Sequence, residues 1–104
     1  MRWAVNLYTT EKTKKMLPRI MHKVRTGRVQ SGVWLITIAS NEQNLLDIFH
    51  SIHYVQPMFA KMNPDIVGLA ESEDAAKELV LKMMKDVYDT NGNFDVRTYF
   101  QFEE

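Results

Sequence analysis

A chain of 104 residues with zero formal net charge, 45% hydrophobic and 25% charged residues, has the size of one domain and the composition of an ordinary folded protein. That composition excludes a disordered or low-complexity chain, and the absence of cysteine excludes disulfides, iron–sulfur clusters, thiolate metal sites and a catalytic thiol. The longest apolar stretch, Val33 to Ala39, is far short of the roughly 20 residues that span a bilayer, and the beginning of the chain has no signal-peptide pattern, so a cytoplasmic protein is expected.

The first predicted element is a β-prone strand from Trp3 to Tyr8, followed by Thr9 and Thr10, hydroxyl residues suited to capping a helix. From about Glu11 to Thr26, Met16, Leu17, Ile20, Met21 and Val24 recur at helical spacing, and Gly27 is placed to close the helix. Pro18 lies inside that pattern, so the helix either kinks or restarts there. Val33 to Ala39 (VWLITIA) reads as a central strand covered on both faces. Ser40 and Gln43 form a capping-box pattern ahead of Leu45, Leu46, Phe49, Ile52 and Phe59, which predicts a second helix from Asn41 that ends or kinks at Pro57. Asn63-Pro64 signals a turn, and Asp65 to Ala70 (DIVGLA) a third strand. Ser72 caps a third helix with an apolar stripe of Ala76, Leu79, Val80, Met83 and Val87, closed by Asn91-Gly92. In the tail, Phe94, Val96, Thr98 and Phe100 alternate like an edge strand, with a short helix capped by Asp95 as the other option. The order predicts one α/β domain over residues 1–104, with a small, mainly parallel three- or four-stranded sheet covered by helices; a ferredoxin-like α+β fold is the alternative.

Charge is strongly asymmetric along the chain. Residues 1–30 carry eight bases against the single acid Glu11, a net +7, and residues 31–104 carry −7. Either the basic part meets an anionic partner or one half docks on the other. Lys12, Lys15, Arg19 and Lys23 repeat at three- and four-residue steps opposite Met16, Ile20 and Val24, a stripe able to neutralise phosphates or simply to face water. No aromatic residue interleaves it and no nucleic-acid-binding motif accompanies it.

On the predicted second helix, Asp47, His50 and Tyr54 fall at i, i+3 and i+7, where a carboxylate can orient an imidazole beside a phenol for acid–base chemistry. An ordinary helix surface produces the same pattern. Asp47 and His50 would need a third ligand to hold a metal tightly, and none can be assigned, so no metal site and no cofactor are expected. His53 is expected at the core border. In a parallel sheet, the strand ends would gather Thr9, Thr10, Ser40, Asn41 and Ser72 along one rim as a small-ligand site, although helix capping alone accounts for these residues. Glu42 and Glu71 on that rim disfavour a phosphate. There is no dinucleotide fingerprint, phosphate-binding loop or nucleophile elbow.

At VNLYTTEKTKK, LITIASNEQNLLDI and DIVGLAESEDAAKELV the chain resembles a group of short uncharacterised bacterial proteins with no assigned function. The resemblance implies a stand-alone bacterial cytoplasmic protein and supplies no active site. The expected function is a small non-catalytic binding module acting through self-association, as a homodimer, or through another protein. Anion or nucleic-acid binding by the basic first helix, and an enzyme using Asp47, His50 and Tyr54, are the alternatives; no membrane partner is expected.

Overall fold

A computed structural model describes residues 2–28, 32–39, 43–52 and 63–102. The elements are β1 (Arg2–Thr9), α1 (Glu11–Lys15), α2 (Leu17–Arg25), β2 (Trp34–Ile38), β3 (Leu46–His50), β4 (Asp65–Ala70), α3 (Glu73–Asn91) and α4 (Val96–Tyr99). The strands form one sheet in the order β1-β4-β2-β3. Ile20 and Val24 of α2 pack with Val33, Leu35, Ile66 and Leu69 on one face. On the other, α3 and α4 bury Ala76, Leu79, Met83, Val87 and Val96 against Ile36, Val67 and Ala70. The molecule is therefore a three-layer α/β structure, and β2 is interior with both faces covered, as its continuous apolar run requires.

The expectation of a mainly parallel sheet is corrected. Only β1 and β4 run parallel; β2 is antiparallel to β4 and to β3. The cause is the second predicted helix, which is replaced at residues 46–50 by β3. The spacing of Leu45, Leu46, Phe49 and Ile52 fits a helix, but Leu46, Asp47 and Ile48 also alternate with period two. Leu46 and Ile48 pack toward the α3 core, and a short run of this kind is decided by its partner strand. The Ala39 N–H donates to the Leu45 carbonyl at 3.2 Å, closing a β2–β3 hairpin where a capping box was expected. A hairpin reverses the chain, so β2 and β3 cannot both run with β4. The ferredoxin-like alternative is an antiparallel sheet, and the parallel pairing of β1 with β4 does not fit it.

Pro18 restarts the first helix rather than kinking it. α1 ends at Met16, and Pro18 occupies the opening turn of α2, where its missing N–H leaves no bond unmade. Ser72 accepts from the Ala75 N–H as the cap of α3, and Gly92 closes that helix with φ +73°, a left-handed conformation that glycine adopts without penalty. The expected tail strand is also corrected: Asp95 accepts from the Thr98 N–H and starts α4. Beyond it the chain returns along β1, with an isolated antiparallel bridge between Ala4 and Phe102 and a Val5 N–H to Gln101 carbonyl bond of 2.6 Å. The Arg2 guanidinium lies 4.7 Å over the Phe102 ring. This segment covers part of the outer edge of β1 and limits its availability for pairing with another chain.

Two irregularities shape the sheet. Between Trp3 and Tyr8, β1 advances five residues while β4 advances from Ile66 to Gly68. Against β2, Gly68 and Ile66 pair with the consecutive residues Ile36 and Thr37, so β4 bulges there, and Val67 and Gly68 both face α3. No helix among the described residues is long and apolar enough to cross a membrane.

Candidate functional site

The parallel β1–β4 pair ends at Thr9 and Ala70, which brings Thr10, Glu71 and Ser72 together at one end of the sheet. Because β2 runs the other way, its first residue, Trp34, and Gly32 and Val33 just before it arrive at this end. The expected rim of three helix starts is therefore split. Thr10 and Ser72 share one end, the last residues of β2 lie at the other, and Ser40, Asn41 and Glu42 lie outside the described residues. At that far end Arg97 donates to the Ala39 carbonyl at 3.0 Å.

The shared end is built from hydroxyls and one carboxylate. Thr10 caps α1 in a reciprocal capping box with Thr13, whose Oγ1 accepts from the Thr10 N–H at 2.9 Å. The Thr10 hydroxyl donates to Glu71 Oε2 at 2.5 Å, and the buried Thr13 hydroxyl donates to the Leu69 carbonyl at 3.0 Å. α1 is thus bolted to the end of β4 by two side-chain bonds, and Glu71 is held at a fixed orientation. A cavity of about 170 Å³ opens beside it, lined by Lys12, Thr13, Met16, Ile20, Val33 and Glu71 together with Gly32. Across Glu71 a second, more open depression is lined by Thr10, Ala75, Glu78, Leu79 and Lys82. Glu71, taken from the sequence only as an obstacle to phosphate, is the residue on which both depressions meet.

The acid–base candidate loses the helical geometry on which it depends. Asp47 and His50 are three positions apart on a strand and so point to opposite faces. Asp47 pairs in register with Thr37. His50 stacks edge-on against Trp34 at 5.1 Å, and its Nδ1 accepts from the Ile52 N–H at 3.1 Å, which commits that nitrogen to a local turn. Tyr54 and His53 lie outside the described residues. No group of three or more metal-ligating side chains gathers among the described residues.

A different polar cluster is present that residue spacing does not reveal. Tyr8 Oη donates to Asp86 Oδ2 at 2.6 Å and lies 2.7 Å from Tyr99 Oη. With its own proton committed to Asp86, Tyr8 accepts from Tyr99, giving a chain that ends on a carboxylate. Phe100 packs edge-on against both phenols, with ring centroids at 5.8 and 5.0 Å. The available signal was Asp86, an acid three residues after Met83 at the border of the apolar stripe; Tyr99 depends on α4, which the sequence left open. Burial, then the bonds to Asp86 and Tyr99, raise the Tyr8 phenol above the ordinary tyrosine range. It serves as a hydrogen-bond donor and not as a base. The folded chain holds this proton when the unfolded chain has lost it, above roughly pH 10. Stability from the cluster is therefore full below that pH and falls as the pH rises past it. Urea midpoints measured between about pH 8 and 11 should fall more steeply for the native chain than for Tyr8→Phe; parallel curves would show that the cluster is not linked to folding.

The basic residues occupy two helices rather than one stripe, with Lys12 and Lys15 on α1 and Arg19 and Lys23 on α2. Among the described residues the ion pairs are Arg2–Asp65 and Lys77–Glu73, and none of them involves these four bases. Arg25 lies 5.9 Å over the Trp3 ring. α3, with Glu73, Asp74, Glu78, Asp86 and Asp89 against Lys77, Lys82 and Lys85, packs on the face of the sheet opposite α2. The chain matches no protein-family model, and neither a curated protein nor a solved structure matches it.

Proposed function

We propose that this protein is a small, non-catalytic binding module that engages a nucleic-acid-like polyanion through its α1–α2 layer. The observation that carries this reading is that Lys12, Lys14, Lys15, Arg19, Lys23 and Arg28 form no ion pair among the described residues. Six like charges on one layer repel one another, and an anionic partner relieves that repulsion. Among the described residues Arg2 is the one base of the first thirty residues in an ion pair with an acid of the rest of the chain, Asp65, which gives little support to docking of the basic half onto the acidic half as the explanation of the asymmetry. Trp3, which packs on the α2 side of the sheet, is half-buried with Arg25 over its ring, so among the described residues the layer offers charge rather than a stacking platform, and binding should track phosphates rather than bases. The reading places the protein in the bacterial cytoplasm, where nucleic acids are accessible.

Titration of a short labelled DNA duplex with the native protein checks this. Affinity should fall with salt with a log–log slope of about −0.9 per phosphate contacted. No binding at low ionic strength, or binding indifferent to salt, would sink the reading.

Self-association is favoured by a separate observation. Leu81 and Tyr88, seven residues apart on α3, are 72% and 52% exposed, and Phe94 beside them is 50% exposed, with its ring 5.2 Å from that of Tyr88. An apolar patch on the face opposite the basic layer leaves a homodimer compatible with polyanion binding. Sedimentation at low micromolar concentration should then detect a dimer that Leu81→Glu dissociates; a monomer at every concentration would remove this second reading.

A further inference from the structure

We infer that the cavity between α1 and the start of β2 binds a small aliphatic zwitterion of the α-amino-acid type. The inference does not rest on polyanion binding. The cavity has a volume of about 170 Å³. An apolar cavity of about 150 Å³ holds a benzene-sized molecule, whereas drug-sized ligands need roughly 300 Å³ or more, so the size favours a compact ligand. Ile20 and Val33 are buried, and with Met16 they give the cavity an apolar wall.

Two groups of opposite charge, Lys12 and Glu71, share the lining without forming an ion pair with each other or with any other described residue. One Glu71 oxygen is held by the Thr10 hydroxyl, which orients the carboxylate while leaving its charge without an ion-pair partner among the described residues. A simple anion would satisfy Lys12 and be repelled by Glu71; a simple cation would do the reverse. A molecule that carries an ammonium and a carboxylate on one short aliphatic skeleton answers all three features at once. Glu71 takes the ammonium, Lys12 the carboxylate, and Met16, Ile20 and Val33 the hydrocarbon.

The experiment is an NMR titration of the full chain with L-valine, beside isobutyrate and isobutylamine, each of which keeps the branched hydrocarbon and one charge. Valine should shift the backbone amides of Thr13, Ile20, Val33 and Glu71 saturably in the millimolar range or below. Loss of one charged contact should weaken it about tenfold in Glu71→Gln and in Lys12→Met. Met16→Trp, which crowds the cavity from an exposed position, should remove the response without unfolding the chain. No saturable shift with valine at roughly 50 mM, well above the millimolar range, overturns the inference. So does either single-charge analogue binding as tightly as valine, or an unchanged valine response in both charge variants. Duplex binding by Glu71→Gln should remain intact, so failure of the cavity site is distinguishable from failure of the polyanion reading.

Discussion

Replacing Gly68 by valine is expected to destabilise the protein by about 3 kcal/mol, the upper end of the usual cost of overpacking a core, and to lower the melting temperature by roughly 12–24 °C. The bulge in β4 turns Gly68 toward α3, where a Cβ would lie 2.5 Å from Met83 Cε and 3.0 Å from Ile36 Cδ1. Met83 and Ile36 are both fully buried. A Cβ already requires the buried Met83 terminal methyl to shift, and valine adds two further methyl groups beside it and Ile36. Shortening the opposing side chain should recover part of the loss. Met83→Ala combined with Gly68→Val should be less destabilised than the sum of the two single variants, and thermal unfolding of all four proteins measures that coupling. An unchanged melting temperature for Gly68→Val would mean that α3 does not close on the bulge as described.

The second large effect concerns binding. Changing Lys15, Arg19 and Lys23 together to Glu should lower affinity for a DNA duplex by at least about 100-fold at low salt. Each site loses an attraction to phosphate and gains a repulsion, and tenfold in affinity corresponds to about 1.4 kcal/mol. Lys15 and Arg19 are exposed and Lys23 is half-exposed, and none of the three is in an ion pair among the described residues. Surface changes of this kind usually stay within about 0.5 kcal/mol each, so the melting temperature should move by no more than roughly 6–12 °C. Equal affinity for native and variant protein would transfer the binding surface elsewhere. A large loss of stability would make the comparison one of folding instead, and single reversals at Lys15 and Arg19 then provide the reading.

Elements that depend on local chemistry were legible in the sequence. α3 announced itself through the Ser72 cap, the stripe of Ala76, Leu79, Met83 and Val87, and the closing Gly92, because capping and helical amphipathicity are properties of neighbouring residues. Pro18 likewise marked a break whose position is governed by its own missing donor. The exposed bases of the candidate surface could be named in advance, since charge on the face opposite an apolar stripe has little choice but water.

Tertiary structure alone decided the rest. Leu46 to Ile48 satisfies two periods, and the pairing with β2 selected the strand, because a strand's hydrogen bonds are made with residues its own sequence does not contain. That one choice reversed β2 relative to β4, divided the expected rim, separated Asp47 from His50, and set Val33 beside Lys12 and Glu71. Tyr8, Asp86 and Tyr99 are joined across separations of 78 and 91 residues, a contact that no local pattern encodes. The residues determined which local shapes were possible; packing two helical layers on a mixed sheet determined which of those shapes could coexist.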